Sequence, residues 1–189
     1  GFATMTRMLN LPFVLLAAAA LDPGGTYSPE PERRLVREIY EQLVNSNTSY
    51  STGQTTAAAE AMAKRFLDAG FPAEDVLVLG AAPHKANVVV RYRGTGAKKP
   101  LLLLAHLDVV EAKREDWSFD PFTFFEKDGY FYGRGTGDDK AQAAIWVGNL
   151  IRYRRERLRP ARDLIVALTA DEEGGGPYNG VAWLLAHRR

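Results

Sequence analysis

Three polar clusters carry the residue types that could do chemistry in this chain: "HLD" at 106–108, "GDDK" at 137–140 and "DEE" at 171–173. Imidazole and carboxylate groups are ligands for zinc, cobalt or manganese, and the sequence contains no cysteine that could serve instead. Carboxylates crowded together repel one another unless a dication lies between them. The clusters therefore predict a metal site with His, Asp and Glu ligands.

The segments in front of two of these clusters predict that they meet. His106 follows the aliphatic run 101–105, and Glu172 and Glu173 follow the aliphatic run 163–170. Such runs are typical of parallel strands that are buried on both faces. Because α/β sheets bind their ligands at the carboxyl ends of parallel strands, we expect these side chains to share one edge of the sheet.

The spacing inside each cluster suggests roles for its members. Side chains two apart on an extended backbone point to the same side, so Asp108 could hydrogen-bond a ring nitrogen of His106. Glu172 and Glu173 point in different directions, so one could bind metal while the other acts as a general base. Asp138 lies where a helix begins and could face the same crevice. Each cluster alone could be a surface pair, a helix cap or a solvated loop, and their co-occurrence favours the metal site.

Hydrophobic patterning predicts an α/β fold, with a mainly parallel mixed sheet flanked by helices. An Asp128-Gly129 pair between aromatic-rich arms predicts a β-hairpin. We predict helices from residue 33 to 44, from 55 or 56 to 69, from 140 to 157 and from about 179, and strands at 76–79, 87–93, 101–105 and 163–170.

The first residues resemble a secretory signal peptide. An apolar stretch from Leu9 to Leu21 follows one arginine, and small residues suit a cleavage site around 18–20. We predict a signal peptide at residues 1–21, a Pro/Gly-rich linker at 22–32 and the folded part at 33–189. The mature protein would then be periplasmic or secreted, and cytoplasmic if the segment is an ordinary helix instead.

Charge argues against nucleic acid as a partner. The 24 basic and 23 acidic residues leave a net charge of +1, which gives no general attraction to a polyanion. A basic cluster at Arg152–Arg162 is predicted to be the solvated end of a helix. The glycines at 93–100 precede a strand, whereas a phosphate-binding loop would precede a helix, so a nucleotide-binding α/β domain is disfavoured.

The blocks "AHLDVV", "DGYFYGRGTGDDKA" and "TADEEGGG" resemble those of the co-catalytic di-zinc exopeptidases and amidohydrolases. That group includes glutamate carboxypeptidase, carnosinase-type dipeptidases, aminoacylase, acetylornithine deacetylase and succinyl-diaminopimelate desuccinylase. The resemblance covers roughly residues 33–189 and implies a zinc-exopeptidase-like catalytic domain. Ala141 is a small departure, since glycine commonly follows the lysine in this family.

The resemblance implies two Zn²⁺ ions, with Co²⁺ or Mn²⁺ as possible substitutes. His106 would bind one ion, Glu173 would bind the other, and Asp138 would bridge both. Asp108 would orient His106, and Glu172 would be the general base that moves a proton to the leaving amine. The resemblance also implies a cis peptide bond between Asp138 and its neighbour.

The implied reaction is hydrolysis of an amide next to a free carboxylate, in a dipeptide, a C-terminal residue or an N-acyl amino acid. Trp117 and the "DPF" run at 120–122 look more like the carboxypeptidase and dipeptidase branch than the deacetylases. Groups that recognise the substrate carboxylate are expected outside this chain. The resemblance implies no nucleic acid, no membrane contact after signal cleavage, and a parent enzyme that could be a homodimer.

Part of the family pattern is missing from the sequence. The family uses a further acidic ligand, a late histidine and a lid or dimerisation domain, none of which follows the last helix here. His84 and His187 are predicted to be surface residues. We therefore expect an N-terminal part of the catalytic domain that is inactive, or barely active, alone. The alternative is a truncated, non-catalytic homologue that serves as a binding module.

Overall fold

The structure is a computed structural model that describes residues 30–174 and 176–187. The predicted signal peptide and most of the predicted linker lie outside these residues. Within the described part, no helix combines the length and the apolar character needed to cross a membrane.

The described residues form four helices and six strands, which confirms the predicted α/β class with a mixed sheet flanked by helices. The helices are α1 (Glu30–Val44), α2 (Thr55–Asp68), α3 (Lys140–Arg155) and α4 (Gly180–His187). The strands are β1 (Val76–Ala82), β2 (Lys85–Tyr92), β3 (Leu101–His106), β4 (Phe125–Lys127), β5 (Tyr130–Tyr132) and β6 (Leu164–Thr169).

Helix α1 begins three residues earlier than predicted, inside the expected linker. Pro31 lies in its first turn, where a missing N–H costs nothing, and Glu30 and Glu32 favour the positive end of the helix dipole. Because of its prolines, this segment was predicted to be a linker. In the structure residues 30–32 form the N-terminal turn of α1.

The main sheet has the strand order β1-β2-β6-β3. Strands β1 and β2 form an antiparallel hairpin, β2 is antiparallel to β6, and only β3 and β6 run parallel. The expectation of a mainly parallel sheet is therefore corrected for the described strands. A two-residue connection forces β1 and β2 to be antiparallel, whereas the long crossover through α3 allows the parallel pair.

Strand β3 lies at the edge of this sheet, which corrects the prediction that it is buried on both faces. Leu102 and Leu104 are 57% and 47% exposed, while Ala105 on the opposite face is buried. The side chains alternate between the two faces, and the helices α1, α2 and α3 enclose only one of them. The aliphatic run thus has one covered face and one open face.

The core lies between this covered face and the three helices. It contains an apolar stripe of α3, which includes Ala144, Val147 and Ile151. Helix α4 packs against β1 and β2, but its Leu185 is 61% exposed. Other fully buried side chains at the centre of the core are Ile39, Val44, Met62, Phe66, Val88, Val90, Leu150, Val166 and Leu168.

The predicted hairpin is present as β4 and β5. Asp128 and Gly129 form its two-residue turn, with φ angles of 53° and 79°. A two-residue hairpin turn of this kind needs both residues in the left-handed region, because the twist of the turn then matches that of the flanking strands. The turn residues therefore determine the hairpin locally.

Candidate metal centre

The three polar clusters meet at one end of the β3–β6 pair. His106 is the last residue of β3, Asp138 and Asp139 immediately precede α3, and Glu172 follows β6 by three residues. The Nε2 atom of His106 lies 3.0 Å from Oδ1 of Asp138 and 3.9 Å from Oε2 of Glu172. Parallel pairing of His106 with Thr169 brings these strand ends together.

His106, Asp138 and Asp139 can hold a metal ion, since one ligand atom from each lies within 4.8 Å of the others. Two ligands at roughly 2.1 Å from a tetrahedral zinc ion are roughly 3.4 Å apart, close to the observed His106–Asp138 distance. Asp139 was not predicted as a ligand. The signal for it was the doubled aspartate at the helix start, of which the family resemblance selected only the first.

Glu173, a predicted ligand, lies outside this group of atoms but close to it. Burial raises the pKa of its carboxyl group, and the negative charges of Asp138 and Glu172 raise it further. Burial likewise raises the pKa of Asp139. Crowded acids resist ionisation because their negative charges repel one another, and a bound dication relieves that repulsion.

The His106 ring is oriented by the main chain. Its Nδ1 lies 3.0 Å from the carbonyl oxygen of Asp108. Because a carbonyl only accepts hydrogen bonds, Nδ1 must donate, which leaves Nε2 to face Asp138. Two acceptors at 3.0 Å repel unless a proton or a metal ion lies between them. Burial opposes protonation of His106, but this hydrogen bond and the nearby carboxylates raise its pKa overall.

The side chain of Asp108 does not make the predicted hydrogen bond to His106. Its Oδ1 is 3.7 Å from Nδ1 of His106, too far for the expected hydrogen bond, and its Oδ2 accepts from the main-chain N–H of Glu173 at 2.9 Å. The carbonyl oxygen of Asp108 makes the contact with the histidine ring instead. Asp108 therefore ties the end of β3 to the loop that carries the glutamates.

The peptide bond between Asp138 and Asp139 is cis, as the resemblance implied. The Oδ2 atom of Asp139 accepts a hydrogen bond of 3.3 Å from the main-chain N–H of His106. The two adjacent aspartates thus point to different partners, one to the histidine ring and the other to its backbone.

A buried ion pair holds the segment in front of Glu172. Nζ of Lys85 lies 3.2 Å from Oδ1 of Asp171, with both side chains almost fully buried, and 4.5 Å over the ring of Tyr50. Asp171 has a φ angle of 61°, in the left-handed region. Since Glu172 is the next residue, this pair fixes the direction in which the chain leaves β6.

Lys140, in the "GDDK" cluster, is also buried. Its Nζ donates a hydrogen bond of 2.7 Å to the carbonyl of Ser46. Burial lowers its pKa to about 7, although the charge of Asp108 opposes this. Between that value and the ordinary lysine pKa, the unfolded chain holds a proton that the folded chain has released, so stability rises with pH.

We therefore expect the free energy of unfolding of the metal-free protein to increase by roughly 2 to 3 kcal/mol between pH 7 and 9.5. Lys140→Met should flatten this slope, while Lys64→Met, a change at an exposed lysine of α2, should leave it unchanged. Urea titrations in chelator across this pH range measure the slope. An equal slope in wild type and Lys140→Met would contradict the assignment.

A cavity of about 380 Å³ opens beside the cluster. Its walls include Trp117, Arg134, Asp138 and Glu173. The Nε atom of Arg134 is buried and has no hydrogen-bond partner among the described residues. The space can therefore take a small molecule with both a polarisable bond near the acids and an anionic group near the arginine.

Comparison with known proteins agrees with this geometry. Residues 102–189 match the family described as "Peptidase family M20/M25/M40". A succinyl-diaminopimelate desuccinylase of Delftia acidovorans is 34% identical over 139 residues, which are 72% of this chain and 36% of that protein. The human N-fatty-acyl-amino acid synthase/hydrolase is 41% identical over 78 residues, which are 41% of this chain and 16% of that protein.

The fold has relatives among solved structures. Human carnosine dipeptidase 1 superposes with a TM-score of 0.63 at 17% identity, over 84% of this chain and 38% of that one. This chain thus spans between 16% and 38% of the length of these three proteins. Residues 102–189, which contain all three polar clusters, are the part of this chain that resembles the peptidase family M20/M25/M40.

Proposed function

We propose that this chain takes part in metal-dependent hydrolysis of an amide bond next to a free carboxylate, in a dipeptide, a C-terminal residue or an N-acyl amino acid. The observation that carries the proposal is the cluster of His106, Asp138 and Asp139, with Glu172 3.9 Å from the histidine. The similar proteins named above, a desuccinylase, an N-acyl-amino acid hydrolase and a dipeptidase, support the substrate class.

Zinc is the proposed metal, with two ions in the complete site. Asp138 would bridge them, His106 would hold one, and Glu173 would hold the other after a small movement of its side chain. When bound, the ions would supply Lewis acidity toward the scissile carbonyl and the attacking water. The described donors are nitrogen and oxygen only, which fits zinc, cobalt and manganese.

Glu172 is the proposed general base. Its side chain is half-exposed and faces the cluster without entering it, so it can take a proton from water and give it to a departing amine. Asp108 would position the loop through its bond to the N–H of Glu173. Arg134 gives the substrate carboxylate a counter-charge inside the cavity, a group that we expected to find only outside this chain.

Low turnover is expected from the described residues alone. The proposed assignment gives each zinc ion Asp138 and one further ligand and leaves Asp139 on the N–H of His106, whereas catalytic zinc usually has three protein ligands. Secretion or a periplasmic location rests on the sequence of residues 1–21. A homodimeric parent protein likewise stays a prediction.

The test is to titrate the 189-residue chain with Zn²⁺ by calorimetry and to assay N-succinyl and N-acyl amino acids and dipeptides for amine release. We expect zinc binding and slow hydrolysis that a chelator stops and added zinc restores. Zinc binding without any hydrolysis would favour the binding module. Hydrolysis that survives chelation would contradict the proposed function.

A further inference from the structure

A second cavity, of about 510 Å³, lies far from the metal centre and is rich in arginine. It opens where β2 ends, beside Leu164 at the start of β6, whereas His106 lies beside Thr169 at the other end. The five residue steps from Leu164 to Thr169, at about 3.3 Å each, separate the two strand ends by about 17 Å. Of the ten residues that line it, one is a carboxylate, Asp75, and five are arginines: Arg91, Arg93, Arg154, Arg157 and Arg159.

Two of these arginines have carboxylate partners. Arg93 makes two hydrogen bonds of 2.7 Å to the buried Asp75. Arg91 pairs with Asp163, whose carboxylate also accepts from the main-chain N–H of Gly94. These pairs hold the end of β2 in place, and their charges cancel.

The other three arginines have no carboxylate partner within the described part of the chain. Arg154 donates to the carbonyl of Gly70 at 2.6 Å, and a carbonyl carries no net charge. Arg157 and Arg159 have neither an ion pair nor a side-chain hydrogen bond with any residue that the structure describes. Three guanidinium groups around one cavity repel one another, and an anion between them would remove that repulsion.

The backbone at Arg157 argues against a role that is only structural. Arginines in the last turn of α3 are accounted for by the helix dipole, but Arg157 lies beyond the helix end. Its N–H donates to Arg154, and the N–H of Leu158 donates to Tyr153 at 2.9 Å. This pattern ends helices with a left-handed residue that is usually glycine, yet Arg157 occupies it with a φ of 55°.

The turn is also held rigidly against the sheet. The hydroxyl of Tyr92 contacts the carbonyls of Tyr153, at 2.9 Å, and Leu158. The residues on both sides of the turn are thus tied to β2, which contains Arg91 and ends just before Arg93. The backbone that carries Arg157 is therefore fixed before a ligand arrives, so only side-chain freedom is lost on binding.

We propose that this cavity binds a small soluble anion with at least two negative charges, such as a phosphate ester or a diphosphate. Guanidinium groups match phosphate oxygens in pairs, and three uncompensated ones balance two or three negative charges. The volume exceeds that of a single phosphate and lies within the range of small-molecule sites.

The experiment uses pyrophosphate as the probe, titrated into the metal-free 189-residue chain at constant ionic strength. Chelator is needed because pyrophosphate would also bind an ion at the metal centre. We expect saturable binding of one pyrophosphate, weakened at least about tenfold by Arg157→Gly. Glycine suits the left-handed backbone, so the unfolding temperature of this variant should not fall below that of the wild type.

Arg155→Ala is the matched control, because Arg155 is an exposed arginine of the same helix end that does not line the cavity. It should bind pyrophosphate as wild type does. Equal weakening in both variants, or no saturable binding by wild type, would overturn the proposal. Arg157-dependent sedimentation with phosphatidic acid vesicles, without pyrophosphate binding, would also overturn it in favour of a lipid headgroup.

Discussion

Asp138→Asn is expected to weaken the binding of both zinc ions by more than about 100-fold, the upper end of what loss of a group supporting a ligand costs. The change replaces one carboxylate oxygen with an NH₂ group that repels a cation, and the proposed bridge needs both oxygens. His106→Ala should weaken only one of the two ions. Calorimetric titration and metal analysis after dialysis measure the affinity and the number of bound ions.

Two variants of the same size separate the bridge from its neighbours. Asp139→Asn should have a smaller effect, because Oδ2 of Asp139 already accepts the N–H of His106. Glu172→Gln should leave zinc binding unchanged and lower any hydrolysis by about 10² to 10⁴. If Asp139→Asn removes zinc as completely as Asp138→Asn does, Asp139, the ligand that the structure suggests, replaces Asp138, the bridge that the resemblance implied.

Lys85→Met is expected to lower the free energy of unfolding by about 3 to 5 kcal/mol, the usual cost of leaving one charge of a buried ion pair without its partner. Oδ2 of Asp171 already has no hydrogen-bond partner among the described residues, so losing Lys85 would leave both carboxylate oxygens unpaired. Urea unfolding measures the change.

Two further variants test whether this cost comes from the buried charge. Adding Asp171→Asn to Lys85→Met should recover part of the loss, since asparagine is neutral and tolerates the left-handed backbone at this position. Lys64→Met breaks the exposed pair with Asp68 and should cost less than about 1 kcal/mol. A Lys85→Met cost no larger than that would contradict the importance of the pair.

Local patterns determined most of the secondary structure. The hairpin at Asp128-Gly129 and the start of α3 lie where the sequence predicted them, because a two-residue turn and a helical repeat depend only on nearby residues. The ends of β3 and β6 also lie where the polar clusters begin. Order along the chain was therefore enough to predict which strand ends carry the clusters.

The neighbours of each strand could not be predicted in the same way. Leu102 and Leu104 belong to an aliphatic run that is typical of a buried strand, yet β3 lies at the edge of the sheet with one face open. Burial depends on which segments pack against a strand, and residues far away in the sequence decide that. The antiparallel pairing of β2 with β6 is another non-local outcome.

The sequence by itself determined the donor types, their order and the strand and helix ends that hold them, because residue type and spacing are local properties. Only the tertiary structure decided that the Asp108 carbonyl orients His106 while its carboxylate binds the N–H of Glu173. It also placed Arg91 and Arg93 beside a basic helix end that the sequence predicted to be merely solvated. The contacts of Glu173 with Asp108 and of Arg91 with Asp163 join residues more than 60 positions apart, and spacing along the chain carries no information about them.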